Sequence, residues 1–396
     1  MAPKDAFRGI DELSLAHQRV LIRVDFDVPL DANGQVLSDR KLRAALPTIQ
    51  KALKEGARVV LATHLGAADD PPVSLEPVAA CLAELLGQEV YLPDECVGDA
   101  ARKVVSDLRE GQLCLLENLR FAAEEAQNDE VFARRLLALC DVYVGEAFGA
   151  SHLLHASLVA LPRLVTERGI GYRFQAELEA LSRVAGSTQK PFVGILGGAT
   201  LSEQLPVFEA MLRRCDSICL GGGVANTLLA ARSVDMKESS FEREQLALGR
   251  ALLSRARDQK VDLVLPVDVT VGTDAQATET QSCSVGSIPD GCGAFDVGPR
   301  TLDAFRARVQ TAKLVLWNGA LGWLENPEFS AATRGLLSSL GEASAFGIVT
   351  GDALAAAATA PGIELESQIG FVSAGGVASL VFIEGKKLPG VEALRG

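Results

Sequence analysis

The sequence predicts an α/β protein with parallel β-sheets, organised as two halves. Three observations predict it. Short apolar, β-branched runs recur along the chain, each followed by a segment of helical periodicity, and that alternation builds repeated βαβ units. The runs are apolar throughout rather than alternating, which suits strands buried on both faces beneath covering helices. The 396 residues also exceed what one hydrophobic core usually serves, so two domains are expected.

In the first half the strand candidates are "RVLIRVDF", "ARVVLATHLG", "QEVYL", "QLCLLENLRF" and "DVYVGEAFG". In the second they are "FVGILGG", "SICLGGG", "DLVLPVDV", "KLVLWNGALG" and "AFGIVTGD". First-half runs end in charged or imidazole groups: Asp25, His64, Arg120 and Glu146. Second-half runs mostly end in glycines: Gly197 and Gly198, Gly221 to Gly223, Gly319, and Gly351. Ligands of open α/β sheets bind beyond the carboxyl ends of the strands. The first half therefore reads as built for a small polar ligand, and the second for close backbone approach, as a nucleotide demands. Between them, "RFQAELEALSRVAGS" is apolar at Phe174, Leu178, Leu181 and Val184, a helical spacing. A single helix joining two lobes could act as a hinge; an ordinary surface helix has the same spacing. The turn "GGATLSEQ" follows a buried strand and opens a helix, which is how backbone N–H groups are offered to a phosphate, yet it carries no lysine or arginine.

Composition narrows the function. A net charge of -13 argues against a general nucleic-acid binder, while leaving room for a local basic pocket. The eight cysteines include no C-x-x-C pair and read as free thiols in a reducing compartment. No apolar signal core opens the chain and no segment is long enough to span a bilayer, so a cytoplasmic protein without membrane contact is expected. There is no P-loop; "GGGVAN" stops short of a dinucleotide fingerprint, and no nucleophile elbow is present.

"VLIRVDFDVPL", "LRAALPTI", "ATHLG", "LLENLRF", "DVYVGEAFGASHLLHAS", "PFVGILGGA", "GGGVANTLL", "LPVDV", "IPDG", "LVLWNGALGWLE" and "GKKLPGVEAL" follow one another in order and spacing. Through them the chain resembles the phosphoglycerate kinase family over nearly its whole length. The resemblance implies two Rossmann-like lobes with parallel sheets: an N-terminal lobe (1–172) for 3-phosphoglycerate, a hinge helix (173–187), a C-terminal lobe (188–378) for Mg-ATP or ADP, and a segment (379–396) returning to the first lobe. It implies a monomer that binds these small molecules. Substrate positions would be Asp25, Phe26, Asp27, Lys41, His64, Leu65, Gly66, Ala67, Arg120 and Leu153. Nucleotide positions would be Gly197, Gly198, Thr200, Gln204, Gly221, Gly222, Asn318, Glu325 (ribose), Thr350, Gly351, Asp352 and Ala353, with Asp352 also the Mg²⁺ partner.

Several of these depart from the family pattern. Lys41 stands where the family has its catalytic arginine, and so lacks the bidentate fork. Asp27 replaces an asparagine; Ala67 and Leu153 replace arginines. Thr200 and Gln204 replace the two lysines of G-G-A-K-V-x-D-K, and Thr350 and Ala353 alter the G-G-G-D-[ST] loop. Phosphoryl transfer relies on positioned positive charge. The expectation is therefore a phosphoglycerate kinase homologue whose phosphotransfer is severely impaired or lost, retained as a binding, regulatory or scaffold protein. One alternative is an active phosphoglycerate kinase with a rearranged basic set; another is an enzyme of this fold acting on a less charged substrate. Of the smaller features, His152 and His155 are expected at the substrate site or in packing rather than on a metal. The "EE" of "RFAAEEAQNDE" is expected as a solvated helix start, Trp317 in the core, and Asp268 in a structural role at least as readily as a catalytic one.

Overall fold

The computed structural model describes residues 7–66, 71–359 and 366–395, apart from the side chains of 352, 366 and 367. The chain divides into two compact units, Met1–Ala185 with Val377–Gly396, and Gly186–Gly376.

The first unit is built on six strands: β1 (Arg19–Arg23), β2 (Arg58–Ala62), β3 (Val90–Tyr91), β4 (Leu113–Leu115), β5 (Val142–Gly145) and β6 (Glu167–Ile170), in the order β3-β4-β2-β1-β5-β6. All pair in parallel. Val20, Leu21 and Ile22 of β1, with Val59, Val60 and Leu61 of β2, are fully buried. Both faces of these strands are thus covered, as the continuous apolar runs require. The C-terminal segment belongs to this unit: Gly390 N–H donates to Ser151 O at 2.9 Å, and Ala393 packs with Ala147, Ala150, Leu158 and Val159.

The second unit holds β7 (Phe192–Leu196), β8 (Ser217–Leu220) and β9 (Asp262–Val264). A three-stranded antiparallel sheet follows: β10 (Asp268–Gly272), β11 (Gln281–Ser284) and β12 (Gly293–Val297). Then come β13 (Leu314–Asn318), β14 (Phe346–Thr350) and β15 (Gly370–Val372). The large sheet runs β15-β14-β13-β7-β8-β9, all parallel; the small one runs β11-β10-β12. Every residue of β7 and β13 is buried.

The structure departs from the expected strands in two ways. "DLVLPVDV" is two strands in two sheets, split around Pro266, which has no N–H to give to a ladder. The antiparallel sheet is absent from the reading because β11, "QSCS", carries no apolar run. The helix expected between the lobes is observed as Tyr172–Ala185 and clusters with the first unit.

Buried carboxylates start three helices. Glu146 accepts from Arg173 N–H and Phe174 N–H, at 3.1 Å each, and from Thr48 Oγ1. Asp296 accepts from Ala332 N–H. Asp268 accepts from Arg300 N–H, Thr301 N–H and Thr301 Oγ1, which makes it a structural cap. Trp317 is fully buried, as expected of a core residue, and its Nε1–H donates to Gly319 O.

Candidate functional site

The carboxyl end of the first sheet gathers charge. Arg23, the last residue of β1, is fully buried. It donates from Nε to Ser157 Oγ at 2.8 Å, from Nη1 to Val24 O at 2.6 Å, and from Nη2 to His64 Nδ1 at 2.9 Å. Ser157, in a short π-helical turn (Ala156–Ala160), passes the contact on. Its Oγ and N–H both donate to Glu125, whose carboxylate is 2% exposed. The pair thus answers two charges that would otherwise be costly to bury. Burial still pulls Arg23 below and pushes Glu125 above their ordinary pKa values, each opposed by the other.

A guanidinium can only donate, so His64 Nδ1 accepts and its ring proton lies on Nε2. Burial first, then the Arg23 and Arg120 charges, drop the His64 pKa to about 2. His64 is therefore a neutral hydrogen-bond donor, not a cation. His155 is likewise pushed to about 4, mainly by burial. Its Nδ1 is buried without a hydrogen-bond partner, as is Arg120 Nε. His152 Nδ1 donates to Gly149 O, and no metal-holding cluster exists among the described residues.

Lys41 enters at the start of the Arg40–Lys54 helix and places Nζ 3.3 Å from Asp25 Oδ1, both side chains largely buried. Asp27 Oδ1 accepts from Gly66 N–H and ties the loop after β1 to the loop after β2. Phe26 and Leu65 lie in the core, so they can serve a site only through their backbone. Leu153 packs on the small cluster around Ala150 and Ala393. Ala67 lies outside the described residues.

The carboxyl end of the second sheet is built mainly of glycine loops. Its glycines are demanded by backbone crowding rather than by an open space. A Cβ on Gly197 would meet Ala320 O at 1.9 Å, one on Gly222 would meet Gly198 O at 2.6 Å, and one on Gly319 would meet Gly197 O at 2.7 Å. Gly222 and Gly319 also hold positive φ, +61° and +77°. The loops lock through Gly197 N–H to Asn318 O, Gly198 N–H to Ala320 O, and Gly222 N–H to Leu321 O, each 2.9 Å. Gly221 N–H closes on Leu196 O at 3.0 Å.

Thr200 is the N-cap of the Leu201–Leu212 helix but makes no capping bond. Glu242 does so instead, accepting from Leu201 N–H, Ser202 N–H and Ser202 Oγ. The first N–H groups of this helix, read from sequence as a phosphate cradle, are already taken by a carboxylate. Gln204 Oε1 accepts from Asn318 Nδ2 at 2.5 Å. The Thr200 and Thr350 hydroxyls are buried without partners. Glu325 and Ala353 are exposed, Gly351 has φ +98°, and Asp352 begins the helix Asp352–Ala358, its side chain outside the description.

Two groups at this site are not expected from the sequence. Arg23 reads only as part of a strand, although a charge inside an apolar run signals a buried partner. Glu125 was expected in solvent; it is buried because Ser157 and Arg23, distant in sequence, fold over it.

The family model described as phosphoglycerate kinase matches residues 10–386. The chain belongs to the phosphoglycerate kinase family. It is similar to "Phosphoglycerate kinase" of Anaeromyxobacter sp. (strain K), 46% identical over 394 residues, covering 98% of this chain and 99% of that protein. It is similar to "Phosphoglycerate kinase" of Nostoc sp. at 38% identity, covering 99% of both. Among solved structures, phosphoglycerate kinase from Coxiella burnetii superposes with TM-score 0.82 at 33% identity, and that from Pyrococcus horikoshii OT3 with 0.84 at 29%, each covering 98% of both chains. Phosphoglycerate kinases use Mg-ATP or ADP and bind phosphoglycerate. No helix among the described residues is long and apolar enough to cross a membrane.

Proposed function

We propose that this chain is an active phosphoglycerate kinase that works with an altered basic set. The carrying observation is the 46% identity to a protein named phosphoglycerate kinase across 98% of this chain. This favours the catalytic alternative over loss of activity. In the reaction, the bond between phosphorus and the acyl oxygen of 1,3-bisphosphoglycerate breaks, a β-phosphate oxygen of ADP forms the new bond, and the 3-phosphoglycerate carboxylate leaves. Lys41 and Arg120 supply charge in the first lobe, Lys41 steered by Asp25 and Arg120 with a spare buried donor. His64 donates from Nε2. In the second lobe, the Thr200 and Thr350 hydroxyls are buried without partners and would complement a ligand rich in acceptors, such as a nucleotide. Mg²⁺, held through Asp352, would supply the charge that the family's lysines provide.

A coupled assay of ATP formation from 1,3-bisphosphoglycerate and Mg-ADP tests the proposal. Turnover of about 1–100 s⁻¹ is expected of an active kinase. Turnover below about 10⁻² of that range would sink it. A second reading, a binding protein with feeble transfer, is favoured by Gln204 and Leu153. The amide of Gln204 is tied to Asn318 and the half-buried leucine packs against a small apolar cluster, so neither can offer charge. Calorimetric binding of Mg-ADP without turnover would support it.

A further inference from the structure

A groove of about 550 Å³ lies in the second unit, away from the glycine loops. The helix Gly222–Ala231 starts just after β8 ends and runs back toward the amino ends of the strands, where Arg232 follows it. The helix Leu246–Asp258 ends just before β9 begins. The groove is enclosed by the ends of these helices and by β9, the edge strand of its sheet. It runs along β9, from Val261 to Leu265, and its lining includes none of Gly197, Gly222 and Gly319.

Three arginines line it: Arg232, Arg250 and Arg257. All are exposed, and none has a side-chain hydrogen bond or ion pair among the described residues. Arg250, Leu253 and Arg257 fall at i, i+3 and i+7, one face of a helix, so two charges and an apolar residue point the same way. Leu263 and Leu265 add to an apolar floor. The one carboxylate in the lining, Asp262, is engaged by Arg308 Nη1 at 2.7 Å. Arg232 and Arg257 stand at helix C-termini, where a cation is favoured in any case. Arg250 lies two turns back and has no such account. Three unpaired guanidiniums converge here in a chain of net charge -13.

We infer that this groove binds a small organic molecule with an apolar body and two or three phosphate or carboxylate groups. Guanidinium forks suit both groups, and the volume is within the roughly 300–1,000 Å³ of small-molecule sites. The inference is independent of whether the chain transfers phosphoryl groups.

The probe is naphthalene-1,3,6-trisulfonate, a flat apolar ring with three fixed charges, followed by its fluorescence anisotropy with the full chain. Saturable one-to-one binding is expected, weakened about tenfold by R250S and by R257S separately, as for loss of one charged hydrogen bond. Both side chains are exposed, so thermal melting should not change. Tripolyphosphate and tricarballylate serve as competitors; the one displacing the probe at lower concentration identifies phosphate or carboxylate as the preferred group. Absence of saturable binding, undiminished affinity in both variants, or failure of both competitors would each overturn the inference.

Discussion

The carboxyl-end edges of the two parallel sheets are made of opposite materials. In the first, Arg23, Glu125, Lys41, Asp25 and Arg120 place charge where water is scarce, and most of these charges hold another in place. In the second, glycine backbones pack on one another, beside amides and hydroxyls, and the Glu242 carboxylate caps the helix after β7. A charged edge survives only if its partners survive together, because an orphaned buried charge is expensive. A glycine edge keeps its shape whatever side chains surround it. The shape of the "GGATLSEQ" turn is thus explained by packing alone, and its glycines are no evidence of a bound phosphate.

The largest effect is expected at the charged edge. Arg23→Leu strands Glu125 and removes the donor that orients His64, and should cost about 3–5 kcal/mol in urea unfolding. The double variant Arg23→Leu/Glu125→Leu should recover part of that loss. If the two effects simply add, the edge is not a coupled unit. At the glycine edge, T200K/Q204K should raise phosphotransfer by about tenfold, less than the full effect of a missing transition-state donor because Mg²⁺ would already supply part of the charge. A change under about threefold would mean that the second edge does not limit the rate.

Gly222→Ala and Gly319→Ala should each cost about 1–3 kcal/mol, since a Cβ there meets backbone oxygen at positive φ. Gly34→Ala, also at positive φ but with open space around it, should cost about 1 kcal/mol. Equal losses at all three sites would remove backbone packing as the reason for the glycines.

The last effect is spread over pH rather than concentrated in one variant, and the two units share it. Burial raises Glu146 from 4.5 to about 7 and Asp296 from 3.8 to about 7. The folded state then binds protons that the unfolded chain releases. The stability each group contributes is complete below its unfolded pKa and is lost as pH rises toward 7, by at most about 1.4 kcal/mol per pH unit and proton. Melts between pH 5 and pH 7.5 should show this decline. Glu146→Gln and Asp296→Asn should each flatten part of it, and an unchanged slope in both would contradict the assignment.

Strands, their parallel pairing and two halves are written in local periodicity, and the apolar runs of β1, β2, β7 and β13 show it because each strand must be covered on both faces. Asp25, His64, Arg120 and Glu146 are legible as strand-end residues from the same pattern. The split of "DLVLPVDV", the small antiparallel sheet and the burial of Glu125 are not, since each depends on which distant segment lies alongside. Arg23 meets Ser157 across 134 positions of chain, and Gln204 meets Asn318 across 114. No local pattern encodes such a meeting. The spacing of apolar residues and motifs suffices for most of the parallel strands, the kind of fold and the family. Which charges are paired, which histidine is neutral and why the glycines are needed emerge only from contacts in the folded chain. Burial and partnership belong to neighbours in space, and it is these that determine the energy of a charge or of an added methyl group.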